Sequence, residues 1–139
     1  MKNRSLAQDH IERANHRLAA LEVLYERESW ADVVRESQEI VELALKGLLK
    51  AHFVEVPRVH DVSEILEEEK GRLPKSIHGH VTRMGEISRD LRRDRELAFY
   101  GSEDVTPSDF YRKQDAKKAR DNAKWVVETV SAAMPNEKG

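Results

Sequence analysis

The sequence predicts an all-α fold, a five-helix antiparallel bundle. Three observations carry that prediction. Apolar residues recur at three- and four-residue steps over most of the 139 residues. No window alternates with period two over a useful length. Charged residues make up 36% of the chain and aromatics only 6%, with few Gly and Pro, which suits amphipathic helices with charged outer faces.

The first helix is predicted from about Arg4 to Arg27, with Leu6, His10, Ala14, Leu18, Leu21 and Tyr25 on its inner face. Ser29 is expected to cap a second helix, whose stripe is Trp30, Val33, Val34, Ser37, Val41, Ala44, Leu45 and Leu48. So short a connection favours antiparallel neighbours. Pro57 ends the pattern. A third helix starts at Asp61, with Glu64 at capping-box spacing, and stops near Gly71. Past Pro74 a fourth helix is expected over about Ser76–Ala98, with Ile77, Val81, Met84, Ile87 or Ser88, Leu91, Arg95 and Ala98 inward. Thr106 and Pro107 read as cap and first turn of a fifth helix, with Asp109 favourable at its positive end. That helix should run unbroken to about Met134 through Ala116, Ala119, Ala123, Val126, Val127 and Val130.

There is no internal repeat and no linker, so residues 1–134 are expected to form one domain and 135–139 a frayed tail. With no cysteine, disulfides and thiolate metal sites are excluded. No apolar run approaches the length of a membrane span, and the polar start Met1-Lys2-Asn3-Arg4-Ser5 does not read as a secretory signal. A cytoplasmic location is the expectation. The net charge of −2 and a pI near 6.3 argue against holding long nucleic acid by overall charge.

Three stretches carry a resemblance. Ser37-Gln38-Glu39-Ile40-Val41-Glu42-Leu43-Ala44-Leu45-Lys46-Gly47-Leu48-Leu49 resembles the second helix of HEPN domains. Val56-Pro57-Arg58-Val59-His60-Asp61 resembles the turn that follows it, and Phe110-Tyr111-Arg112-Lys113-Gln114-Asp115-Ala116 the Tyr and Asp-Ala pattern that opens the last helix. The resemblance implies a HEPN-type bundle, a homodimer, and work beside a minimal nucleotidyltransferase. Many relatives are RNA-cutting toxins of toxin–antitoxin pairs, with an Arg, then four to six residues, then a His near the end of the fourth helix.

Here that segment reads Arg92-Arg93-Asp94-Arg95-Glu96-Leu97-Ala98-Phe99-Tyr100-Gly101. Arg95 takes the place of the Arg, and Tyr100 stands where the His would be. Imidazole, with a pKa near 6.5, suits proton transfer at neutral pH, and a phenol near 10 does not. The expectation is therefore a nucleotide- or RNA-binding or interaction module, with Arg92, Arg95, Glu96 and Tyr100 at the ligand. Any catalysis would fall to Arg95 and Tyr100. An RNase toxin with a degenerate site and a purely structural subunit are the rival readings.

Arg95 reads either as a cleft cation or as the partner of a carboxylate such as Asp115 or Glu36. Arg89, Arg92, Arg93 and Arg95, interleaved with Asp90, Asp94 and Glu96, read as a solvated face or a phosphate contact. Phe99 and Tyr100 either close a helix end or stack on a base. Arg4–His10 and Arg72–His78 share the bare Arg/His spacing. His52, His60, His78 and His80 have no i,i+4 pair, so no metal site is assigned and no cofactor is expected. Lys113, Lys117, Lys118, Arg120 and Lys124 read as a solvated face, and Trp30 and Trp125 as core or interface anchors. The fourth helix is the expected dimer contact.

Overall fold

The computed structural model describes the backbone of residues 2–57, 61–100 and 106–135, and the side chains of 6–57, 61–94, 106–108 and 110–135. Every regular element among them is helical. Four long helices, α1 (Lys2–Glu26), α2 (Trp30–Ala51), α5 (Val81–Tyr100) and α7 (Lys113–Ala133), are joined through the short helices α3 (Val62–Glu68), α4 (Lys75–His78) and α6 (Pro107–Phe110), with a 3-10 turn at Lys70–Arg72.

The five expected helical segments are all present, but two are interrupted. The fourth divides at Gly79–His80 into α4 and α5, and the fifth at Tyr111–Arg112 into α6 and α7. The second break has a visible cause. Arg112 is extended, and the Asp115 carboxylate accepts its N–H at 2.9 Å, so α7 starts afresh under its own cap. The tail expected over 135–139 lies, apart from Pro135, outside the described residues.

α2 is the central helix. It packs against α1, α5 and α7, and more than half of its 22 residues are buried, among them Val33, Ile40, Leu45, Leu48 and Leu49. Each large aliphatic side chain withdrawn from water contributes roughly 1.5–3 kcal/mol before the entropy of ordering is charged against it. α5 adds Val81, Met84, Ile87 and Leu91, and α7 adds Ala116, Ala119, Ala123, Val126, Val127 and Val130. These positions match the predicted stripes.

α1 keeps Ala14, Leu18, Leu21 and Tyr25 of its predicted face against the core but departs from it in its first turns. Leu6 is exposed and His10 only half-buried, while Ala7, Ile11, Ala14 and Leu21 face the core. The reason is the crossing with α2 at Gly47. A Cβ built there would lie 2.9 Å from Ile11 Cδ1, 3.1 Å from His10 Cβ and 3.2 Å from the Ala7 carbonyl oxygen. Helix backbones this close admit Ala and Gly at the contact and turn Leu6 aside.

Both long N-terminal helices end in the same way. Ser29 N–H donates to the Leu24 carbonyl and Glu28 N–H to Tyr25, each at 3.0 Å, with Glu28 at φ 61°. Val54 N–H donates to Leu49 at 2.9 Å and Phe53 N–H to Lys50 at 3.1 Å, with Phe53 at φ 60°. These are Schellman ends, which ordinarily place Gly at the left-handed position. In the second, buried Val54 joins Leu49 in the core, and this apolar contact holds Phe53 in a conformation bulky residues avoid, with its ring 60% exposed.

Two caps differ in detail from expectation. Ser29 occupies the N-cap of α2, but its hydroxyl donates to Asp32 at 2.6 Å and makes no side-chain cap bond. Asp61 does cap α3, accepting from Ser63 N–H at 2.9 Å.

Two stability predictions follow from these contacts. Gly47→Leu should destabilise the fold by about 2–3 kcal/mol, since α1 must be displaced to admit the side chain, and the urea midpoint should fall accordingly. Phe53→Gly should raise that midpoint, by about 1 kcal/mol, because the left-handed strain is relieved at an exposed site.

Candidate functional site

The expected site lies on the second half of α5. Arg92 is the one of the four expected ligand residues whose side chain is described. Its guanidinium pairs with Glu42 on α2 through Nη2, and Nη1 lies 3.7 Å from Asp61 at the start of α3. The Arg92 side chain is 42% exposed and Glu42 18%. Arg92 thus joins α5 to α2 and to the α3 cap, a structural role the sequence did not suggest, because Glu42 is 50 positions away. The side chains of Arg95, Glu96, Phe99 and Tyr100 lie outside the described residues, and so does that of Asp109. Their backbones, Asp109 included, belong to α5 and α6.

The two carboxylates considered as partners of Arg95 have other contacts. Glu36 pairs with Arg17 at 3.4 Å, and Asp115 caps α7. Arg93 lies 3.6 Å from Asp90 and 3.7 Å from Asp94. The dense basic run is therefore balanced locally at Arg92 and Arg93.

A cleft of about 240 Å³ opens between this part of α5 and the α6–α7 corner. Ile87, Leu91 and Val34 form its floor, Tyr111 and Phe110 one wall, and Asp90, Arg93, Asp94, Asp115 and Lys118 its charged rim. Tyr111 is 5% exposed, and its hydroxyl donates to the backbone carbonyl of Asp94. Burial, reinforced by the Asp94 and Asp115 charges, pushes the phenol up to about 12, so it stays a donor at any physiological pH. The Phe110 and Tyr111 rings meet edge to face at 5.0 Å.

Burial raises the Asp94 carboxyl above its ordinary value, with Asp90 adding to the shift and Arg93 opposing it. Asp61 moves the other way. Its burial alone would raise it, but the bonds from Ser63 and the charge of Arg92 outweigh burial and hold it low.

The remaining candidates resolve into packing contacts. His10 Nδ1 donates to the Leu6 carbonyl at 2.8 Å, and burial pushes its pKa down. His78 Nε2 donates to the Leu73 carbonyl at 2.9 Å, and Arg72 pairs with Glu69 at 3.2 Å. Each Arg/His spacing noted outside α5 thus has its histidine bonded to backbone, with Arg4 and His60 outside the described side chains. Trp125 sits between His80, 5.5 Å away edge to face, and the Arg83 guanidinium, 3.9 Å from the ring centroid. Trp30 packs edge to face on Tyr25, whose ring also carries Arg120 at 3.8 Å. On the last helix Lys117 pairs with Asp121 at 2.8 Å, and Arg120 with Glu22 at 3.4 Å. Among the described residues no group of three or more His, Cys, Asp or Glu could hold a metal ion, and no helix is long and apolar enough to cross a membrane.

A bundle built on one three-sided helix, with its candidate site on the helix before a Tyr- and Asp-marked corner, defines the class of small helical domains that the sequence motifs resemble. The HEPN domain model matches residues 7–133, nearly the whole chain, and the chain belongs to that family. Neither the curated proteins nor the solved structures gave a match.

The two shifted carboxylates make a pH prediction. A carboxyl held low in the folded state stabilises above its unfolded pKa of about 3.9, and that stability is lost as pH falls through the lower folded value. Asp61→Asn should therefore lower Tm at pH 7, and the loss should shrink as the pH falls into the carboxylate range. A carboxyl held high costs stability wherever it is ionised, and the cost vanishes as pH falls through both values. Asp94→Asn should raise Tm at pH 7, with the gain fading as the pH enters the carboxylate range. Thermal melts of the two variants from pH 3 to 8 check both signs.

Proposed function

We propose that this chain is a HEPN module that binds a nucleotide or RNA along the second half of α5 without cutting it. It works as a homodimer and docks a minimal nucleotidyltransferase. Arg92, Arg95, Glu96 and Tyr100 are the proposed contacts, with Arg95 as the principal cation. One observation carries the reading: from Arg95 to Gly101, where the family resemblance calls for Arg and then His, this chain has Arg but no His. A guanidinium still binds phosphate through its fixed fork of donors, whereas the proton transfer that strand cleavage needs has lost its usual group. The placement of Arg92 supports Arg95 as the principal contact, since Arg92 is already held by Glu42 and Asp61.

The test uses purified full-length protein, a 5′-labelled single-stranded RNA and ATP. Wild type should retard the RNA or bind ATP, release no cleavage products, and lose about tenfold or more in affinity on Arg95→Ala, in line with loss of one charge-assisted contact. RNA cleavage that disappears with Arg95→Ala or Tyr100→Phe would instead establish the RNase toxin reading. Light scattering should give twice the 16.0 kDa chain mass, and a monomer would remove the dimer.

A further inference from the structure

We infer that Tyr111 is a positioning residue whose hydroxyl, donated to the Asp94 carbonyl, fixes the segment of α5 that begins at Arg95 against the α6–α7 corner. This rests on the proposed function for its consequence in binding, but not for its geometry.

Three observations converge on Tyr111. First, its acceptor is the carbonyl of the residue immediately before Arg95. A carbonyl has two lone pairs, so Asp94 can accept from Tyr111 while still serving its own helix. Second, the bond crosses a gap. α5 meets α2 extensively and α7 little, and the cleft lies between α5 and the corner that carries Tyr111. Arg92, the last α5 side chain tied to α2 in the described set, is three residues earlier than Arg95. Among the described residues, Tyr111 is thus a tie that reaches α5 at the residue next to Arg95. Third, Tyr111 is itself held. It is buried, its ring packs on Phe110, and it occupies the break between α6 and α7, where Asp115 caps the restarted helix. A donor anchored at a helix break can orient a neighbouring segment, whereas one on a long free side chain would follow it.

The bond sits at the break in the last helix. Continuing α6 through Tyr111 and Arg112 would require Arg112 to be helical, but its extended backbone gives its N–H to Asp115. The break places a phenol beside α5 at the cost of two helical residues.

The experiment compares wild type, Tyr111→Phe, Arg95→Ala and the double variant, with the same single-stranded RNA as probe and amide hydrogen exchange as a second reading. Phe keeps the ring and removes only the hydroxyl. Tyr111→Phe should speed exchange at residues 95–100 while leaving 81–91 unchanged, and should weaken RNA binding about 2–10-fold, the range for one hydrogen bond. In the Arg95→Ala background the same change should cost clearly less in binding, because the principal contact of the segment it positions is already gone. Equal losses in both backgrounds, or unchanged exchange at residues 95–100, would overturn the inference. If wild type binds neither RNA nor ATP, the proposed function fails, while the exchange reading still decides whether Tyr111 holds the segment.

Discussion

The structure depends on burying α2 on three sides. Its sequence provides a wide apolar face for this, with Val33, Val34, Ile40, Val41, Leu45, Leu48 and Leu49 buried and charged residues such as Asp32 and Arg35 left outside. Such burial obliges the neighbours to approach closely. Gly47 lets α1 do so, and the alanines of α7 serve the same end along their own contact. It also has a cost. Ser37 Oγ and Gln38 Oε1 are buried with no hydrogen-bond partner among the described residues, and an unsatisfied buried polar atom costs about 1–3 kcal/mol. The apolar burial around them offsets that cost.

The long helices were legible because their stripes report burial directly. α7, and α5 as far as Leu91, came out on the predicted faces for this reason. The first turns of α1 did not, and the cause is specific. Its heptad-like spacing fits two adjacent faces, Leu6–His10–Ala14 and Ala7–Ile11–Ala14, and hydrophobicity alone prefers Leu6. The close crossing at Gly47 prefers the smaller Ala7. A steric rule set by another helix outweighed the apolar pattern of the helix itself, and nothing within α1 announces it.

The breaks in the fourth and fifth segments divide along the same line. Gly79 is a local signal and could have been read as one. The break at Tyr111–Arg112 has no Gly or Pro. It is made by a buried phenol bonded to a carbonyl 17 positions earlier and by Asp115 receiving the Arg112 N–H. Tertiary contacts of this kind override local helix propensity, which at these residues is unremarkable to within a few tenths of a kcal/mol.

That the candidate residues share one helix was legible in the sequence, whereas the partners of the described arginines among them were legible only in part. Counting arginines from 89 to 95 suggests a strongly basic surface. Pairing accounts for two of the four, since Arg92 answers Glu42 and Asp61, and Arg93 answers Asp90 and Asp94. The adjacent cleft is acidic on balance, with Asp90, Asp94 and Asp115 against Arg93 and Lys118. A phosphate placed in that cleft would meet a net negative rim, at a cost that falls with distance and with salt. The cleft itself is therefore poorly suited to holding an anion. The cleft's contribution is then mechanical, as the gap that Tyr111 spans to reach the α5 backbone.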